Sequence, residues 1–91
     1  MFFEVKEAKY LGEYRIRILF EDNSSGIADL SGYSSKGEVF KPFADLSYFR
    51  NFRIEYGTLI WGNGELDIAP ETLYTAATGR PINYSQLRLK V

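Results

Sequence analysis

No cysteine and no histidine occur anywhere in these 91 residues. Without cysteine there can be no disulfide, no thiolate metal site and no cysteine nucleophile. Without histidine the commonest general base, proton shuttle and zinc ligand is missing as well. Serines are present, but none has an imidazole base to activate it and none lies in a G-x-S-x-G elbow. Long apolar runs are also lacking. No stretch approaches the ~20 residues of a membrane-spanning helix, so no membrane association is expected. The N-terminal Met1-Phe2-Phe3-Glu4-Val5-Lys6 carries charge too early to resemble a signal peptide, which implies a cytoplasmic protein. Charge of one sign is absent too. Eleven Lys and Arg against twelve Asp and Glu give a net charge of −1, which offers no general attraction to nucleic acid or anionic lipid.

What is present suits a single small domain over residues 1–91. The chain is 45% apolar, with seven Phe, seven Tyr and one Trp, enough for one packed core. At this size folding buries only roughly 60–65% of the unfolded surface, so modest stability is expected.

Along the chain, residues 2–11 begin as an extended segment. Its alternation slips near Lys6-Glu7, which predicts a bulge. After a turn at Gly12-Glu13, Tyr14, Ile16, Ile18 and Phe20 alternate with Arg15, Arg17 and Leu19, the clearest strand pattern present. The turn formers Glu21 to Gly26 predict a hairpin loop, and Ile27 to Leu30 the returning strand of a three-stranded meander. Ser31 to Gly37 reads as a surface loop. Phe40, Phe43, Leu46 and Phe49 then recur every three residues, predicting short helical turns laid on the sheet, with Pro42 in a first turn and Asp45 or Ser47 as caps. Phe52, Ile54 and Tyr56 form the next alternation, Gly57 a hairpin turn, and Thr58 to Trp61 the fifth strand. Gly62-Asn63-Gly64 is a turn. Pro70 opens a helix at N1, with Glu71 at its positive end and Asp67 as nearby capping help. A stripe of Leu73, Ala76 and Ala77 faces inward, and Gly79 and Pro81 end the helix. Leu87, Leu89 and Val91 alternate with Arg88 and Lys90, so residues 86–91 read as a sixth strand or an arm pairing with another chain. The expected fold class is α+β, with an antiparallel sheet of about five or six strands.

The run Trp61-Gly62-Asn63-Gly64 followed by Leu66-Asp67-Ile68-Ala69-Pro70-Glu71-Thr72-Leu73-Tyr74 resembles the signature of the small bacterial family called domain of unknown function 2442. The resemblance covers roughly residues 3–74. Glu65 is a departure, since the family more often has a single residue between the glycine and the aspartate. The resemblance implies an α+β fold with an antiparallel sheet and no established activity. Some members resemble fusions to helix-turn-helix domains. Others look like one partner of a two-protein pair similar to toxin–antitoxin systems. No segment here is left for a helix-turn-helix, so direct nucleic-acid binding is not expected.

Four residues of the motif are candidates for binding. Trp61 could stack a ligand, although a tryptophan ending a buried strand is more often core. Asn63 and Asp67, with Glu65 between them, could approach a hard cation, but the spacing matches no EF-hand loop and side-chain caps fixing a helix entry are the favoured explanation. Gly62-Asn63-Gly64 is no phosphate loop, because Asp67 would repel the phosphate and no Lys-Ser/Thr follows. Tyr74 is expected to lay its ring on the sheet with its hydroxyl in water. Arg15, Arg17 and Arg53 could share a sheet face, where Glu13, Glu21 and Glu55 would pair with them. These features point to a non-catalytic domain without a cofactor or metal that binds another small protein or a second copy. Leu87, Leu89 and Val91, with the Ser31–Gly37 loop, are the candidate surface. The alternative is a ligand-sensing or nucleic-acid-associated regulatory module using a pocket near Trp61.

Overall fold

A computed structural model describes residues 3–80. Among the described residues the fold is α+β with six antiparallel strands, divided between two three-stranded sheets. The first is the expected meander of β1 (Val5–Gly12), β2 (Arg15–Phe20) and β3 (Ser25–Asp29). The second contains β4 (Arg53–Glu55), β5 (Thr58–Trp61) and β6 (Leu66–Ile68). Between the sheets in sequence lie 3₁₀ segments at Tyr33–Ser35 and Glu38–Ala44 and the single-turn helix α1 (Leu46–Phe49). Helix α2 (Pro70–Thr78) follows β6.

The predicted slip in β1 is present. Register shifts between Val5 and Glu7, while Ala8 faces Ile18 and Tyr10 faces Ile16. Alternation in β2 then places Ile16, Ile18 and Phe20 in the core and Arg15 and Arg17 in solvent. Three-residue spacing of the phenylalanines suits the 3₁₀ geometry, which stacks i and i+3. Phe43 and Phe49 are buried by it, whereas Leu46 remains 40% exposed. Asp45 caps α1, its carboxylate accepting the Ser47 N–H at 2.9 Å. Pro42 lies inside the 3₁₀ helix rather than in a first turn. The two sheets are tied at one corner, where the Val5 N–H donates to the Gly57 carbonyl at 2.8 Å. Side chains from both then enter one core with Leu30, Leu73 and Tyr74.

Several expectations are corrected. Leu66–Ile68 is a strand the sequence did not announce, being too short for its alternation to stand out. Residues 86–91 lie outside the described residues. The Ser31–Gly37 stretch contains a 3₁₀ turn. Tyr56 does not share a strand face with Phe52. It sits at the β4–β5 hairpin tip with φ +54° and is 93% exposed. Arg53 belongs to the second sheet, so it shares no face with Arg15 and Arg17. Its partner is Glu55, two residues along the same strand, at 2.5 Å. In α2, Pro70 is at N1, Glu71 is in the first turn and Gly79 closes the helix in the left-handed conformation, as expected. The buried residues are Leu73 and Tyr74, with Ala77 half-buried and Ala76 exposed. Asp67 does not cap this helix, because strand alternation turns Leu66 and Ile68 inward and Asp67 outward. Among the described residues no helix is long and apolar enough to cross a membrane.

Rotation of α2 follows from a close approach at Gly26. This residue is part of β3, opposite Ile18, and not of the hairpin loop. A Cβ there would stand 1.9 Å from the Ala77 carbonyl oxygen, so only glycine lets the helix backbone rest on the strand. We expect Gly26→Ala to push α2 off β3 and lower stability by about 1–3 kcal/mol. A fall in the urea midpoint with unchanged far-UV circular dichroism checks this, and an unchanged midpoint contradicts the contact.

Candidate functional site

The Trp61–Tyr74 motif divides in the fold into a buried half and a surface collar. Trp61 ends β5, and all four residues of that strand are buried. Its indole is 0% exposed and is packed by Phe43, Phe49 and Phe52, with ring centroids 4.7, 5.9 and 6.2 Å away. Burying the indole N–H without an acceptor would be costly. It donates to the Phe49 carbonyl at 2.6 Å, which attaches the end of α1 to β5. Burial leaves no ring face of Trp61 exposed.

The turn joining β5 and β6 is organised by Glu65, the residue that departs from the familiar motif. One carboxylate oxygen accepts the Asn63 N–H at 2.7 Å and the other accepts the Tyr48 hydroxyl at 2.9 Å. Gly62 makes this possible. Its φ is +66°, and a Cβ on it would fall 1.5 Å from the Glu65 carboxylate. The N–H of Asn63, with help from the Tyr48 hydroxyl, holds the Glu65 carboxyl below its ordinary range. Partial burial, together with the bond to that anion, pushes the Tyr48 phenol up to about 12. Asn63 and Asp67 are exposed, with Asp67 on the outer side of β6. Among the described residues Asp67 is no part of the hydrogen bonds that Glu65 makes to Asn63 and Tyr48. Among the described residues no three acidic side chains are gathered into a metal site.

Tyr74 is placed by α2 against Phe3 and Phe20, with ring centroids 4.8 and 5.0 Å apart. Its hydroxyl does not reach into water. It donates to the Asp22 carboxylate at 3.0 Å and lies 3.3 Å from the Ser24 hydroxyl. Arg80 donates to that same hydroxyl at 3.0 Å, with its guanidinium 5.6 Å from the Tyr74 ring centre. Burial works to raise the Asp22 pKa, but bonds from Ser24 and Tyr74 and the Arg80 charge outweigh it and hold the carboxyl low. The β2–β3 loop is thereby tied to α2. Sequence reasoning singled out Glu65 without its partners and missed Tyr48, Asp22 and Ser24, because these contacts span 17 to 52 residues of chain. The signals for Glu65 were its position as the extra residue and its place between Asn63 and Asp67.

Leu87, Leu89 and Val91 lie outside the described residues. The Ser31–Gly37 stretch is anchored at Tyr33, whose ring packs on Phe40 at 5.2 Å and lies under the Lys36 ammonium at 4.6 Å.

A family model described as a protein of unknown function (DUF2442) matches residues 5–79. The chain belongs to the DUF2442 family. The matched region runs from the start of β1 to the C-cap of α2, so the meander, both sheets and the Trp61 motif all belong to the family's domain. No curated protein and no solved structure matches the chain.

Glu65 and Tyr48 give this DUF2442 domain a pH signature at both ends. The folded Glu65 and Asp22 carboxyls titrate below their ordinary values of 4.5 and 3.8, so the unfolded chain binds more protons in that window. Their contribution is complete above the ordinary values and is lost as pH falls through the depressed ones. Tyr48 acts oppositely. The folded state holds the phenol proton from pH 10 up to about 12, so stability declines as pH rises through that interval. We expect Glu65→Gln to bring the Tyr48 midpoint back toward 10 and to flatten the acid limb. Phenolate absorbance and urea midpoints across pH measure both, and an unmoved Tyr48 titration contradicts the pairing.

Proposed function

We propose that this DUF2442 chain is a non-catalytic protein-interaction domain, the regulatory or antitoxin-like member of a two-protein pair acting in the cytoplasm. The observation that carries this reading is the use of the motif's functional groups within the fold. Trp61 is bonded to Phe49, Glu65 to Asn63 and Tyr48, and Tyr74 to Asp22. Among the described residues no buried side-chain polar atom lacks a partner. A catalytic or small-molecule site holds convergent polar groups that await a substrate. Here the Trp61 indole, the Glu65 carboxylate and the Tyr74 hydroxyl already have protein partners, and the first sheet keeps one face open. The alternative of a ligand pocket at Trp61 has no comparable support.

The test is to capture the tagged full-length chain from its native cells after light cross-linking, then co-express and co-purify whatever is found. We expect one small protein in stoichiometric amount that forms a stable complex on gel filtration. Recovery of the chain alone, or substrate turnover by the purified chain, would replace this reading.

A further inference from the structure

The β1–β2–β3 sheet has one face on the core and one that no described residue covers. Strand parity puts Glu7, Lys9 and Leu11 of β1 on the open face, beside Arg15, Arg17 and Leu19 of β2. Ser25, Ile27 and Asp29 of β3 complete it. Ile27 is 45% exposed and Leu11 38%. Glu7, Lys9, Arg17, Leu19 and Ser25 line a shallow groove of about 280 Å³ on this side.

The charges at the centre of the face are not arranged for the isolated domain. Lys9 stands directly opposite Arg17 on the neighbouring strand. Like charges at directly opposed positions destabilise a sheet. Several other cations have company. Arg15 faces Asp29, Arg53 pairs with Glu55, Lys41 pairs with Glu38, and Arg80 bonds Ser24. Among the described residues neither Lys9 nor Arg17 has a carboxylate within ion-pair distance. Arg17 also has Ile27 as its other cross-strand neighbour, so the cationic centre is bordered by apolar side chains.

We propose that this face is the docking surface for a partner protein segment that presents acidic side chains interleaved with apolar ones. This proposal deepens the interaction reading above and rests on it. The carboxylate sits between Lys9 and Arg17 and relieves their repulsion. The apolar residues cover Leu19 and Ile27. A second copy of the chain meeting face to face would set Lys9 and Arg17 against their own images, which charge opposes. A nucleic-acid backbone would find no use for Ile27 and Leu19.

The probe is a capped pentapeptide alternating valine with glutamate, titrated to millimolar concentration into the isotopically labelled full chain. A lysine-for-glutamate peptide and a short DNA duplex serve as comparisons. We expect amide shifts centred on Lys9, Arg17, Leu19 and Ile27 with the acidic peptide alone. Arg17→Glu should weaken that binding at least tenfold while leaving the thermal midpoint equal or higher, because Lys9 then faces an opposite charge. An added Ile27→Ser variant should weaken binding without moving the Lys9 amide in the free protein. The proposal is overturned by absent shifts, by shifts elsewhere, by equal response to the basic peptide or DNA, or by undiminished binding in Arg17→Glu. If a captured natural partner still binds Arg17→Glu unchanged, the surface is wrong and the interaction reading stands. If no partner exists, that broader reading fails.

Discussion

The indole of Trp61 is the contact on which the rest of the molecule depends. It fills the space between the second sheet and the 3₁₀–α1 segment, and its N–H bond to the Phe49 carbonyl fixes how that segment ends. Phe49 in turn meets Tyr14 at 4.9 Å and Tyr10 at 6.3 Å, which carries the packing across to the first sheet. A chain of stacked, tilted and edge aromatic contacts thus connects elements that share no backbone ladder. Aromatic pairs of this kind contribute about 0.5–1.5 kcal/mol each beyond burial, which matters in a domain with so small a core. With no disulfide available, side-chain packing and hydrogen bonds must hold the two sheets together.

Around that centre, polar groups fasten the margins. Glu65 closes the β5–β6 turn from above and reaches α1 through Tyr48. Asp22 and Ser24 fasten the β2–β3 loop to α2 through Tyr74. Each fastening joins one sheet's loop to a neighbouring helix, so the family motif serves to assemble the domain. A motif shared for folding reasons can mark a family without marking its activity. The open face of the meander lies outside that motif.

Much of the architecture could be read directly from the residues. The slip at Lys6-Glu7, the strand Arg15–Phe20, the Asp45 cap and the helix from Pro70 to Gly79 each rest on neighbours in sequence. Other features could not be read that way. Leu66–Ile68 is three residues long, too short for periodicity to distinguish a strand from a loop. Gly26 looks like a loop residue until α2 is seen lying on it. The stripe of α2 depends on that same contact, which turns Tyr74 inward and Ala76 outward. Tyr56 continues an alternation on paper, yet the hairpin turns before reaching it.

The sequence alone determined the chemistry this protein lacks, through its missing histidine and cysteine, and the α+β order of its elements, through local periodicity and capping. Membership of the family was legible in the same way, from Trp61 to Tyr74. Tertiary structure decided the separation into two sheets, the burial of Trp61 and the engagement of Glu65 and Tyr74. It also decided which cations stand unopposed on an open face. The reason is physical: strand pairing, close backbone approach and burial are set by residues far apart in the chain, and no local pattern specifies which of them meet.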